Sequence, residues 1–75
     1  MKLLLEILED IHPDVDFETT TGLIDDGIID SFDIIRIVAD IDEEYDVAIP
    51  PEEIVPENFN SAKSLYELIE RLLDN

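Results

Sequence analysis

The chain has 75 residues, 45% of them hydrophobic, and no cysteine, so it is expected to form one small domain over residues 1–75 and excludes a disulfide framework, a cysteine metal site and a thiol nucleophile. Its 21 Asp and Glu against 4 Lys and Arg give a formal net charge of -17. That charge repels nucleic-acid phosphates and anionic lipid, draws in basic partner surfaces, and favours a monomer through self-repulsion.

Residues 2–11 are predicted to form a first helix, because Leu4, Ile7, Leu8 and Ile11 recur at helical spacing and Leu3 widens the stripe. Pro13 ends it by pushing His12 out of helical conformation. His12, the single histidine, is expected to be a solvated helix-end residue, since no partner lies near it in sequence. From His12 to Asp30 no period is sustained, and a connection of this length is uncommon in a compact domain unless it is disordered or functional. Val15, Phe17, Leu23, Ile24, Ile28 and Ile29 are spaced along it as pegs, which predicts an ordered loop. Turns are expected at Thr19-Thr20-Thr21-Gly22 and at Asp25-Asp26-Gly27.

A second helix is predicted from about Ser31 to Tyr45. Ile34, Ile37, Val38, Ile41 and Tyr45 share one face with Ile35 at its edge, while Asp33, Arg36, Asp40, Glu43 and Glu44 cluster opposite. Asp42 falls near the apolar boundary. Arg36 is spaced to pair with Asp33 and Asp40. Asp46 to Ile49 reads as extended; Pro51 suits the start of a short helix through Ile54, closed by Pro56. Asn58, Asn60 and Ser61 are candidate caps for a last helix, and Ser64 with Glu67 fits a capping box one turn later. Leu65, Leu68, Ile69, Leu72 and Leu73 form its apolar face. The expected fold is all-α: a small four-helix bundle of three longer helices and one short one, with a long ordered loop between the first two. No apolar run approaches membrane-spanning length and no signal-peptide pattern is present, so a cytoplasmic protein is expected.

The Asp30-Ser31-Phe32-Asp33 step admits two readings. In one it is a helix start, with Asp30 as N-cap and Asp33 facing the free amides of the first turn. In the other, Ser31 carries a covalently attached phosphate group, exposed at the positive end of the helix. The neighbouring carboxylates make this a poor site for free phosphate, so a covalent bond would be needed to hold it. A serine hydrolase would require an activating base and an oxyanion hole that a chain with one histidine does not offer. Asp25-Asp26-Gly27 with Asp30 lacks the alternating spacing and terminal Glu of a calcium loop, although weak divalent binding to so acidic a surface is expected.

The run Leu23-Ile24-Asp25-Asp26-Gly27-Ile28-Ile29-Asp30-Ser31-Phe32 resembles the attachment region of acyl carrier proteins. There an Asp-Ser-Leu step opens the second helix. The likeness extends through Asp42-Glu43-Glu44-Tyr45, Ile49-Pro50-Pro51-Glu52-Glu53 and Pro56-Glu57-Asn58-Phe59 to the capped last helix. It implies up-down-down-type helix connectivity and a 4'-phosphopantetheine arm on Ser31, installed from coenzyme A by a phosphopantetheinyl transferase. It also implies a non-catalytic carrier that presents acyl or aminoacyl thioesters to ligases or synthases with basic docking surfaces. Asp30 would flank and cap the site, Phe32 would border the arm, and Asp33, Arg36, Asp40, Glu43 and Glu44 would meet partners. Phe32 replaces the usual Leu or Met, and Arg36 stands where fatty-acid carriers are often acidic. Gly27 to Ser31 and Pro56 to Phe59 look more like freestanding aminoacyl or D-alanyl carriers, which work with an adenylating ligase. The alternatives are an acidic adaptor that docks basic proteins through its second helix without any cofactor, and a divalent-cation sensor.

Overall fold

The computed structural model describes residues 1–74. Four α-helices make up its regular structure: α1 (Lys2–Ile11), α2 (Ser31–Tyr45), α3 (Pro56–Phe59) and α4 (Ala62–Leu73), with a 3₁₀ turn at Pro51–Glu53 before α3. No strand occurs among the described residues. No described helix is long and apolar enough to cross a membrane. α1 packs on α2 and α4, and α3 packs on α4.

The apolar stripes of the three longer helices meet in one core. Leu4, Ile7 and Leu8 of α1, Ile37 and Ile41 of α2, and Leu65, Leu68 and Ile69 of α4 are all buried there. Phe59 of α3 and the extended-segment residues Val47 and Ile49 close it. Burial of this kind supplies the main drive to fold, about 1.5–3 kcal/mol for each large apolar side chain. α2 ends at Asp46, whose left-handed backbone (φ 56°) stops the helix, a conformation that Asp tolerates better than most residues.

The long first loop is ordered as its apolar residues predict. Phe17, Leu23 and Ile29 are buried, and Val15, Ile24 and Ile28 pack against the same core. Turns within the loop satisfy much of its polar backbone, and Asn60 ties it to the far end of the chain. The Asn60 side-chain carbonyl accepts from the Ile24 and Asp25 amides (3.0 and 3.1 Å), and its backbone carbonyl accepts from Leu23 (2.9 Å). Gly27 turns the chain in the left-handed region (φ 71°), which favours glycine. The Ile29 amide then donates back to the Leu23 carbonyl at 3.0 Å. Residues from opposite halves of the sequence thus fix where the chain enters α2.

Three details differ from expectation. Pro56 opens α3 at its first position rather than closing a preceding helix, and Pro51 begins only a 3₁₀ turn; a fixed φ and a missing N–H suit either role. The cap of α4 is Ser61, in a reciprocal box with Ser64 (3.1 and 3.3 Å), one turn before the Ser64–Glu67 pairing. Asn60 does not cap α4 but ends α3, with its side-chain amide spent on the loop, and Asn58 instead donates to the Glu53 carbonyl at 2.8 Å.

Tyr45 carries the one buried side-chain polar atom without a hydrogen-bond partner among the described residues. Burial raises the pKa of its phenol, and the nearby Tyr66 adds to the rise; the Leu4 amide, which lies towards it outside hydrogen-bond geometry, opposes the rise. An unsatisfied buried hydroxyl costs about 1–3 kcal/mol. Tyr45→Phe is therefore expected to raise unfolding free energy by about 1 kcal/mol in urea titrations. A loss of stability instead would show that the hydroxyl has a partner in solution.

Candidate functional site

Asp30 has extended backbone geometry and forms the N-cap of α2. Its carboxylate accepts from the Asp33 amide at 3.0 Å, and the Asp33 carboxylate accepts from the Asp30 amide at 3.2 Å. This reciprocal box ties off the first turn. Between its two members stand Ser31 and Phe32, both exposed. The other two serines, Ser61 and Ser64, are hydrogen-bonded to one another and to the chain around the start of α4.

At a helical 100° per residue, Ser31, Ile35, Val38 and Asp42 stand in a row along one flank of α2. This explains the position of Asp42, which is exposed at the end of that row. Beside the row runs an apolar groove of about 290 Å³ lined by Ser31, Ile34, Ile35, Val38 and Ile54. Its rim is unusually apolar for so charged a molecule: Phe32 is 80% exposed, Ile35 67% and Ile54 38%. Sequence reasoning placed Ile35 only at the edge of the core face and gave Ile54 no role. Ile35 sits four residues after Ser31, a spacing that puts both on one flank.

The charged residues of α2 do not form one continuous face. Asp33 is taken up by the cap and by His12, whose Nε2 lies 2.8 Å from Asp33 Oδ2. His12 is thus paired, with a residue 21 positions away that sequence proximity does not reveal. Arg36 lies nearest Asp10 of α1, at 3.9 Å, rather than pairing with Asp33 or Asp40. Both groups are exposed, so this pair contributes little. Asp40 and Glu44 border a second groove of about 390 Å³ between α1 and α2, with Glu6 and Asp10 opposite and Leu3 and Ile7 at its base. They lie about half a turn round the helix from Ser31. Glu43 is exposed to solvent.

The hydrogen bond from His12 holds the Asp33 carboxyl below its ordinary value of 3.8; partial burial opposes this and the Asp30 amide reinforces it. With the folded value below the unfolded one, the ionised group contributes its full stability above about pH 4 and loses it as pH falls through the folded value. The advantage of wild type over Asp33→Asn in urea titrations is accordingly expected to shrink as pH is lowered from about 5 to about 3. A pH-independent difference over that range would disprove the linkage.

The site fits a phosphopantetheine group. Ser31 offers an exposed hydroxyl at a helix N-terminus, where free backbone amides favour a phosphodiester, and an apolar groove begins beside it. The family described as "Phosphopantetheine attachment site" matches residues 2–72. Aminoacyl carrier protein 1 of Bradyrhizobium diazoefficiens is 33% identical over 69 residues, covering 92% of this chain and 76% of its own. Aminoacyl carrier protein 2 of the same organism is 32% identical over 63 residues, covering 84% of this chain and 63% of its own. The D-alanyl carrier protein of Lactococcus lactis subsp. cremoris is 25% identical over 73 residues, covering 95% of this chain and 92% of its own. No solved structure matches. An all-helical fold and a match over nearly the whole length agree, and the chain belongs to the phosphopantetheine attachment family of carrier proteins, with 4'-phosphopantetheine as its cofactor.

Proposed function

We propose that Ser31 is the attachment point and that the chain carries a small aminoacyl group as a thioester between an adenylating ligase and a later acceptor enzyme. The observation that carries the reading is the setting of Ser31: an exposed hydroxyl at the first position of a capped helix, at the head of an apolar groove. The names of the aminoacyl and D-alanyl relatives support the class of cargo. The arm supplies the thiol that this cysteine-free chain lacks.

The chain's own residues have simple tasks. Asp30 and Asp33 hold the first turn of α2 so that Ser31 stays outside the fold. In the loading step, Ser31 Oγ would form a bond to the pantetheine-bearing phosphorus of the coenzyme A diphosphate, the phosphoanhydride P–O bond would break with departure of adenosine bisphosphate, and a transferase base would take the hydroxyl proton. Ile34, Val38 and Ile54 offer a wall along which the apolar part of the arm would rest. Phe32 and Ile35, further out, form the surface that a partner enzyme would cover. Asp40, Glu43 and Glu44, with Arg36 among them, steer basic surfaces from the opposite flank at longer range. The self-repulsion of a -17 chain supports a monomer, and we place its work in the cytoplasm, alongside the coenzyme A supply.

Incubation with coenzyme A, magnesium and a broad-specificity phosphopantetheinyl transferase is the test. Intact mass should rise by one phosphopantetheine group in wild type and stay unchanged in Ser31→Ala. Wild type left unmodified by several transferases, or modification of Ser31→Ala, would refute the assignment.

A further inference from the structure

We propose that His12 is a positioning residue for Ser31, acting as a latch that ties the end of α1 to the first turn of α2. The inference rests on Ser31 being the attachment point. It starts from a shared oxygen: Asp33 Oδ2 accepts both from His12 Nε2 (2.8 Å) and from the Asp30 amide (3.2 Å). His12 therefore orients the carboxylate that closes the box around Ser31 and Phe32.

The latch is itself anchored. The His12 amide donates to the Leu8 carbonyl of α1 at 3.0 Å, and the His12 carbonyl accepts from the Val15 amide at 3.2 Å. Both ends of the residue are fixed before the imidazole reaches across to α2. The bond needs a proton on Nε2, which either the matching neutral tautomer or the charged ring provides.

The latch has work to do because the box is electrostatically awkward. It places two carboxylates beside each other in a chain of net charge -17, and like charges at this range repel. The first turn of a helix also leaves amides without intrahelical partners and frays readily. A donor aimed at the shared oxygen offsets the repulsion and keeps the turn wound. Without it, Ser31 spends more time in frayed states that a transferase cannot engage. A smaller competent fraction raises apparent KM and leaves kcat unchanged.

The test uses full-length His12→Phe, which keeps ring volume but donates no hydrogen bond, and His12→Gln, whose amide can donate to Asp33. His12→Phe should raise the apparent KM for transferase loading about fivefold at unchanged kcat, and His12→Gln should recover most of that loss. In the unmodified proteins, the Asp33 and Ile34 amides of His12→Phe should exchange about fivefold faster with solvent deuterium, while those of α4 stay as in wild type. Wild-type KM and exchange in His12→Phe would overturn the proposal. So would equal defects in Phe and Gln, or faster exchange that extends through α4, since those mark a role other than the hydrogen bond. If wild type is not loaded at all, the Ser31 assignment fails, and the exchange comparison still decides whether the latch exists.

Discussion

Truncating Phe59 to alanine is expected to remove about 3–5 kcal/mol of stability, a large share of what a domain of this size has, since stability runs at roughly 0.05–0.15 kcal/mol per residue. Phe59 is 1% exposed and is the one buried residue of the four-residue α3. The residue after it, Asn60, binds the loop that delivers the chain to Ser31. Losing Phe59 should therefore release α3, then the loop, then the entry to α2. Thermal unfolding followed by circular dichroism should show the midpoint lowered by about 15 °C or more. A shift of only a few degrees would mean that the core closes over the gap and that α3 is held by other contacts.

Replacing Ile35 with aspartate should leave the fold intact and impair transfer to partner enzymes about tenfold or more. At 67% exposure, Ile35 contributes little to the core, and such surface changes usually shift stability by no more than about 0.5 kcal/mol. Its contribution is to the rim beside Ser31, where an apolar partner surface would bury it. Loss of a central interface anchor commonly costs about 2 kcal/mol or more. Charge reversal at Asp40 or Glu44, half a turn away, should instead act mainly on the association rate and fade as salt is added. On the proposed function, the measurement is aminoacyl loading by an adenylating ligase at low and high salt. Full activity of Ile35→Asp combined with a large loss in Asp40→Lys would show that the acidic flank is the docking surface.

Much of this architecture was legible in the sequence where the cause is local. The helical spacing of apolar residues placed α1, α2 and α4, the Asp30 cap marked the start of α2, and the spaced apolar pegs indicated an ordered loop. Ambiguity began where one residue type serves two purposes: Pro56 can end a helix or open one, and Asn60 can cap a helix or bind a loop. Contacts across the sequence left no local trace. His12 meets Asp33 and Arg36 approaches Asp10 only because α1 packs on α2. The acidic residues of α2 read as one face on a helical projection. The fold divides them, spending Asp33 on the cap and turning Asp40 and Glu44 towards α1. The apolar groove was hidden for the same reason, since Ile54 joins Ile35 and Val38 only through the chain reversal after α2.

The central claim is that one hydroxyl of this chain carries the arm, and fragmentation mass spectrometry of the loaded protein tests it most directly. Every fragment that retains the added phosphopantetheine should contain Ser31, and fragments bearing Ser61 and Ser64 without Ser31 should have unmodified mass. Phosphopantetheine on any other residue, with Ser31 unmodified, would contradict the account.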